Sequence, residues 1–172
     1  MSEMKIEEDG LNHQEVSKGK VIILDGSSPK TAEALYWITL QANGGHTTWK
    51  TSSFQMELVD PNNLYLGYEE NGELLGYIGC MLILDEGSIN NYGVLPEHKR
   101  KGIGSKLMYQ LLEYCKEKSI DKLFLEVRIS NQAALSIYKK VGFKQIGYRK
   151  DYYVDPVEDA YLCWLPIEKI YE

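Results

Sequence analysis

A glycine loop set between a strand and a helix constrains this chain more than any other stretch. Residues 87–95 read as a strand closed off by Pro96. The chain then runs Glu97-His98-Lys99-Arg100-Lys101-Gly102-Ile103-Gly104-Ser105. Residues 105–118 carry Leu107, Met108, Leu111, Leu112 and Cys115 at helical spacing, which predicts a long amphipathic helix. Strand, basic glycine loop, helix start is the layout of an anion site. The first turn of a helix has free N–H groups and a partial positive charge, and glycine lets a ligand approach the backbone closely. Lys99, Arg100 and Lys101 concentrate positive charge in a chain of net charge −6. A solvated basic turn with a glycine-assisted helix start is the plainer reading of the same residues. Two phosphate motifs are excluded: Leu107 stands where a dinucleotide fingerprint needs its third glycine, and no Gly-Lys-Ser/Thr completes a P-loop.

With 172 residues, 44% of them hydrophobic and 26% charged, the chain fits one ordinary globular domain. No apolar run is long enough for a membrane helix, and residues 1–20 lack the apolar core of a signal peptide, so a cytoplasmic location is expected. Residues 1–20 are polar and without period, and are expected to form a flexible extension to a domain over residues 21–172. Cys80, Cys115 and Cys163 each stand among apolar neighbours and read as small buried hydrophobes. His13, His46 and His98 are scattered, so no metal site is expected. The acidic balance argues against nucleic acid as a partner.

A first strand is expected over residues 21–24, and Ser28-Pro29 starts a helix reaching about Ala42. Ser52-Ser53-Phe54-Gln55 fits a capping box for a second helix, with Trp49 in the connection. Asn71-Gly72 marks a hairpin between strands at residues 64–68 and 73–84. Residues 123–127 alternate: Leu123, Leu125 and Val127 take one face, Phe124, Glu126 and Arg128 the other. Asn131 caps a helix that Gly142 ends, and a hairpin around Asp155-Pro156 closes the chain. The order βαα, three strands, α, β, α, ββ implies a mixed α/β sandwich on one central sheet.

These residues resemble a known family. Val94-Leu95-Pro96 with Arg100-Lys101-Gly102-Ile103-Gly104-Ser105, then Leu125-Glu126-Val127-Arg128-Ile129-Ser130-Asn131, then Ala134, Tyr138 and Gly142-Phe143, are similar to the GNAT acetyltransferases. Within that family the likeness is strongest to the bacterial ribosomal-protein-alanine N-acetyltransferases, and it spans roughly residues 21–167. Arg-x-Gly-x-Gly alone marks the superfamily; Leu-Glu-Val-Arg-x-Ser-Asn with Tyr138 twelve residues beyond Glu126 is more specific. The resemblance implies the GNAT fold, with a central mixed, mostly antiparallel sheet flanked by helices. It also implies acetyl-CoA as donor and a protein or peptide N-terminus as acceptor, in a monomer or homodimer without nucleic-acid or membrane partners.

The same resemblance places the cofactor pyrophosphate on the loop from Arg100 and Lys101 through Gly102, Ile103 and Gly104 to Ser105. It assigns the backbone of Tyr92, Gly93 and Val94 to the pantetheine arm and thioester carbonyl, Asn131 to a cofactor contact, Glu126 to the general base and Tyr138 to the general acid. Tyr92-Gly93-Val94 departs from the family's usual Ile-Ala-Val, and Thr48-Trp49 from its Pro-Trp.

Acyl transfer to an amine needs a neutral amine, a polarised carbonyl, a held thioester and a proton for the departing thiolate. A protein α-amino group has a pKa of about 7.7–8.0 against about 10.4 for lysine, so a modest base such as Glu126 suffices. Glu126 could equally be a sheet-face carboxylate paired with Arg128. A neutral Tyr138 can donate to a thiolate, or serve as a core tyrosine; Asn131 can cap its helix and touch a cofactor at once. Val94 offers a backbone N–H to a developing oxyanion. Trp49, Tyr152 and Tyr153 are candidate walls of the acceptor site, each also explicable as packing. Glu158-Asp159 could attract a cationic N-terminus or be a solvated turn. Acceptor choice would lie in residues 44–49 and 149–159. A small-amine acetyltransferase of the same fold and a non-catalytic acyl-CoA-binding module are the alternative readings.

Overall fold

The computed structural model describes residues 18–168. Its elements are β1 (Lys20–Leu24), α1 (Pro29–Ala42), α2 (Thr51–Val59), β2 (Asn63–Glu70), β3 (Glu73–Ile83) and β4 (Glu86–Val94). A 3-10 turn (Pro96–His98) leads to α3 (Ile103–Glu117), β5 (Lys122–Arg128), α4 (Gln132–Val141), β6 (Lys144–Val154) and β7 (Val157–Pro166). Most of the expected flexible extension lies outside the described residues. Its last residue, Lys20, belongs to β1 and pairs with Glu69.

Seven strands form one sheet in the order β1-β2-β3-β4-β5-β7-β6, antiparallel throughout except for the parallel pair β4–β5. The Asn71-Gly72 hairpin is present, with both residues at positive φ as a tight two-residue turn requires. The alternation expected along β5 also holds: Leu123, Leu125 and Val127 are buried, whereas Phe124, Glu126 and Arg128 are half-buried. α1 and α3 cover opposite faces. Tyr77 and Gly93 are paired, and a Cβ on Gly93 would meet Ile38 and Ala42 of α1. One residue along, at the Gly76–Val94 pair, a Cβ on Gly76 would meet Ile103 of α3. The core runs on both sides of the sheet, through Leu35, Ile38 and Phe54 on one and Leu107, Met108 and Leu111 on the other.

The feature that positions the site is a split between β4 and β5. They pair only from Glu86↔Lys122 to Ile89↔Leu125. Immediately beyond, β4 carries a bulge against β3: Asn91 faces Gly79 and Ile89 faces Cys80, so Asn90 is the extra residue. A bulge bends its strand and ends regular pairing. β4 therefore leaves β5, which stays with β7 along its whole length to Arg128↔Ala160.

Two helix starts differ from expectation. α2 begins at Thr51, one residue before the expected cap. Its end is tied by Ser53 Oγ, which accepts the Lys50 N–H at 3.2 Å, while Gln55 Nε2 donates to the Gly26 carbonyl instead of reaching back to a cap. α3 begins at Ile103, two residues early, because Ile103 is itself a core residue (2% exposed) and anchors the first turn. Among the described residues no helix is long and apolar enough to cross a membrane.

Candidate active site

The glycine loop does what its residues dictate. Arg100 (φ 64°) and Gly102 (φ 79°) both adopt left-handed backbone, and the space where a Gly102 side chain would stand is open for 4 Å. The first backbone bond closing α3 runs from Lys106 N–H to the Gly102 carbonyl, so the N–H groups of Ile103, Gly104 and Ser105 are left for an outside acceptor. Arg100 and Lys101 are exposed on this turn. These features fit a phosphate-bearing ligand: open backbone donors, positive charge, and no Cβ in the way.

Along β4, the Leu95 N–H bonds to the Leu75 carbonyl of β3 at 2.9 Å. Strand alternation turns the peptide groups of Val94 the other way, toward the split. Tyr92 links this strand to the glycine loop: its hydroxyl donates to the Gly104 carbonyl, and its ring lies 6.2 Å from that of Tyr138. A Cβ on Gly104 would stand 3.0 Å from the Tyr92 hydroxyl, tighter than packing tolerates without movement.

The split opens into a cleft of about 690 Å³. Tyr92 and Tyr138 line it from the α3 side, Thr39 and Ala42 from the α1 side, so it passes through the sheet. The α1–α2 connection, His46 to Trp49, forms one rim, and the β6–β7 turn with Tyr152, Tyr153 and Glu158 forms the opposite rim. Glu126 lies between them.

Glu126 does not pair with Arg128, the partner its sequence position suggested. Its Oε1 is 3.3 Å from Arg149 Nε on β6, and the arginine, 52% exposed, is the more solvated partner. Arg128 turns instead to the β6–β7 turn and Glu158. Tyr138 is buried, with its ring against Phe143 at 5.6 Å, and its hydroxyl has no hydrogen-bond partner among the described residues. Burial, helped by Tyr92, Tyr153 and Cys163, pushes its pKa well above the usual phenol range, so it remains a protonated donor. Asn131 Oδ1 caps α4 by accepting the Ala134 N–H at 3.1 Å, and the residue also lines the cleft.

The sequence pattern of the acetyltransferase (GNAT) family matches residues 31–143. This chain is a GNAT acetyltransferase. It is an acetyl-CoA-dependent N-acetyltransferase, as the family is. A Bacillus subtilis protein provisionally named [ribosomal protein bS18]-alanine N-acetyltransferase is 38% identical over 131 residues, covering 76% of this chain and 87% of that protein. The crystal structure of the Escherichia coli ribosomal-protein-S18-alanine N-acetyltransferase superposes with a TM-score of 0.79 at 28% identity, covering 90% of this chain and 97% of that one. The PaiA N-acetyltransferase of Thermoplasma acidophilum, solved with coenzyme A, superposes at 0.67 and 20% identity, covering 86% and 99%.

Of the acetyltransferase residues singled out in the sequence, Trp49, Tyr92, Gly93, Glu126, Asn131, Tyr138, Tyr152 and Tyr153 line this one cleft. Val94 and the loop from Arg100 to Ser105 do not line it; they stand behind it, on β4 and at the start of α3. Trp49 also packs on Phe54, with ring centroids 5.1 Å apart. Sequence reasoning missed Thr39 and Tyr77, and it placed Arg149 in the acceptor segment 149–159 without a role of its own. No local pattern marks them. Arg149 reaches Glu126 only because β7 holds β5 and β6 in register on either side of it, with Leu162 opposite both Glu126 and Gly147.

Proposed function

We propose that this enzyme acetylates the α-amino group of a protein N-terminus by direct transfer, with Glu126 as general base and Tyr138 as general acid. The observation that carries the reading is the cleft through the β4–β5 split. It gathers the Glu126 carboxylate, the protonated Tyr138 and the Tyr92–Gly93 stretch of β4 between the α1–α2 connection and the β6–β7 turn. The relatives' names support the acceptor class.

Acetyl-CoA supplies an activated acetyl group as a thioester. The N–H groups of Ile103, Gly104 and Ser105, with Arg100 and Lys101, hold its phosphates; Tyr92 to Val94 hold its arm by strand-like hydrogen bonds, and Asn131 adds a side-chain contact. The Val94 N–H faces the split and stabilises negative charge at a carbonyl oxygen. Glu126 takes a proton from the acceptor ammonium, directly or through a water. Its ion pair with half-exposed Arg149 contributes only about 0–1 kcal/mol, so an arriving cationic terminus displaces the guanidinium at small cost. Tyr138 Oη gives its proton to the departing sulfur and regains one from solvent through the cleft.

Release of free CoA should be followed with a peptide beginning with alanine, the same peptide with a blocked N-terminus, and spermidine. Turnover confined to the free N-terminus supports the proposal. Turnover with spermidine alone transfers the assignment to small amines, and binding without turnover of any acceptor leaves an acyl-CoA-binding module.

A further inference from the structure

Arg128 stands two residues beyond Glu126, on the half-buried face of β5, where it faces the β6–β7 turn. Its guanidinium makes four contacts at once. Nη1 donates to the Pro156 carbonyl at 2.9 Å and to Glu158 Oε1 at 3.2 Å, and Nη2 donates to the Asp155 carbonyl at 3.2 Å. The guanidinium carbon sits 4.3 Å from the centroid of the Tyr153 ring. Glu158 uses its other oxygen to accept the Ser130 N–H at 2.8 Å, and hydrogen bonds from Ser130 and Arg128 hold its carboxyl below the usual range. The Ile129 N–H meets the Asp159 carbonyl at 3.2 Å. One planar cation thus ties the tip of the β6–β7 turn to the end of β5 and to the residue before the α4 cap.

We infer that Arg128 is a positioning residue that sets the acceptor wall of the cleft, holding Tyr153 and the turn at residues 155–158 at a fixed distance from Glu126. The inference rests on the acceptor site proposed above. Two turn carbonyls accept from a fork whose geometry only arginine supplies; an ammonium at that position reaches one of them at a time. Such carbonyls lie in a loop that carries the wall, with the edge strand β6 behind it. Without the fork the turn keeps its own ladder and the bonds from Tyr148 and the Asp151 N–H to Asp159. Among the described residues, the Glu158–Ser130 and Asp159–Ile129 links alone then tie it to the residues after β5, and the ring of Tyr153 loses the surface it stacks on. The glycine loop and the Tyr92–Gly104 link make no contact with this clasp. Asn131 is held by its N–H to the Arg128 carbonyl and by its cap on the Ala134 N–H, bonds that a change of the Arg128 side chain leaves in place. Acetyl-CoA affinity therefore does not depend on the guanidinium.

The test uses the full chain and its Arg128→Ala, Arg128→Lys and Glu158→Gln variants. Two readouts are taken: steady-state kinetics with the acceptor that the CoA-release assay identifies, and amide hydrogen exchange over residues 150–159. Arg128→Ala is expected to raise acceptor KM about tenfold, with kcat and acetyl-CoA affinity within about twofold of wild type. Arg128→Lys should recover part of that loss, Glu158→Gln should cost less than Arg128→Ala, and exchange over 150–159 should quicken in Arg128→Ala. Unchanged exchange, or an acceptor KM that stays within about twofold of wild type, overturns the inference. Equal losses of acceptor and acetyl-CoA affinity in Arg128→Ala also overturn it, because they mark a general structural role. Absence of α-amine turnover in the wild-type enzyme is a separate failure, of the acceptor proposal; the exchange readout still decides whether the clasp holds the turn.

Discussion

The two halves of the cleft are built from different materials. The half assigned to acetyl-CoA is made of backbone: N–H groups at the start of α3, a left-handed glycine, and a strand whose partner has moved away. The half assigned to the acceptor is made of side chains: Trp49 from the α1–α2 connection, Glu126 from β5, Arg149 and the tyrosines from β6. Backbone donors depend on local conformation, which a short stretch of sequence sets. A side-chain wall depends on strand register and on loops that meet only in the folded chain. The first half therefore suits a donor bound through backbone, and the second is where a change of side chain would change the acceptor.

That contrast predicts variants that damage one half alone. Gly104→Leu introduces a Cβ 3.0 Å from the Tyr92 hydroxyl and fills the phosphate turn, yet leucine is a good helix former. Acetyl-CoA affinity should fall by more than about 10³-fold in calorimetry, while the protein stays folded with a melting temperature lowered only as far as the local shift of Tyr92 requires. Wild-type affinity in this variant would remove the phosphate-turn assignment. Next in size, Glu126→Gln should lower kcat about 10²-fold and leave acetyl-CoA affinity unchanged. A large loss of acetyl-CoA binding would instead make Glu126 part of the donor half.

Tyr138→Phe sharpens the comparison at the boundary between the halves. Its hydroxyl has no partner among the described residues, so removing it should not destabilise the fold. A drop in kcat of about tenfold with an unchanged melting temperature fits the general acid; unchanged kcat would return Tyr138 to the core. The smallest effect concerns the acceptor turn. Glu158 and Asp159 both have folded-state pKa values below their ordinary ones, Glu158 through Ser130 and Arg128 and Asp159 through Tyr148 and the Asp151 N–H. Their stabilisation is in place above the ordinary carboxylate range and is lost as pH falls through the depressed folded values. Thermal melts from pH 7 down to about 3 should show Glu158→Gln losing less stability on acidification than wild type. Parallel curves would mean that the turn carries no such coupling.

The same division explains what could be read from the sequence. The strand–loop–helix at Gly102, the β5 alternation around Glu126, the Asn131 cap and the Asn71-Gly72 hairpin are short-range patterns, and the fold bears each of them out. Helical spacing from Leu107 onward predicts a start at residue 105, whereas α3 starts at Ile103 because that side chain is buried against the sheet. The split between β4 and β5, which Glu126 faces, is a different kind of feature. Its cause, the bulge at Asn90, carries no residue signature, since Asn-Asn in a strand says nothing of which neighbour it will pair with. The alternative of a Glu126–Arg128 pair fails for a related reason. Arg128 is near in sequence and on the same strand face, but its guanidinium satisfies two turn carbonyls and Glu158, a set visible only once β6 and β7 close their turn.

The central claim is that the acceptor is an α-amino group. It is tested most directly by incubating the enzyme and acetyl-CoA with a peptide that begins with alanine and carries an internal lysine, then locating the added acetyl group by fragment mass spectrometry. A carboxylate base acting near neutral pH favours the amine of pKa about 7.7–8.0 over a lysine near 10.4. The account predicts a single acetyl group on the first residue. Acetyl found on the lysine side chain, with the N-terminus untouched, would contradict it.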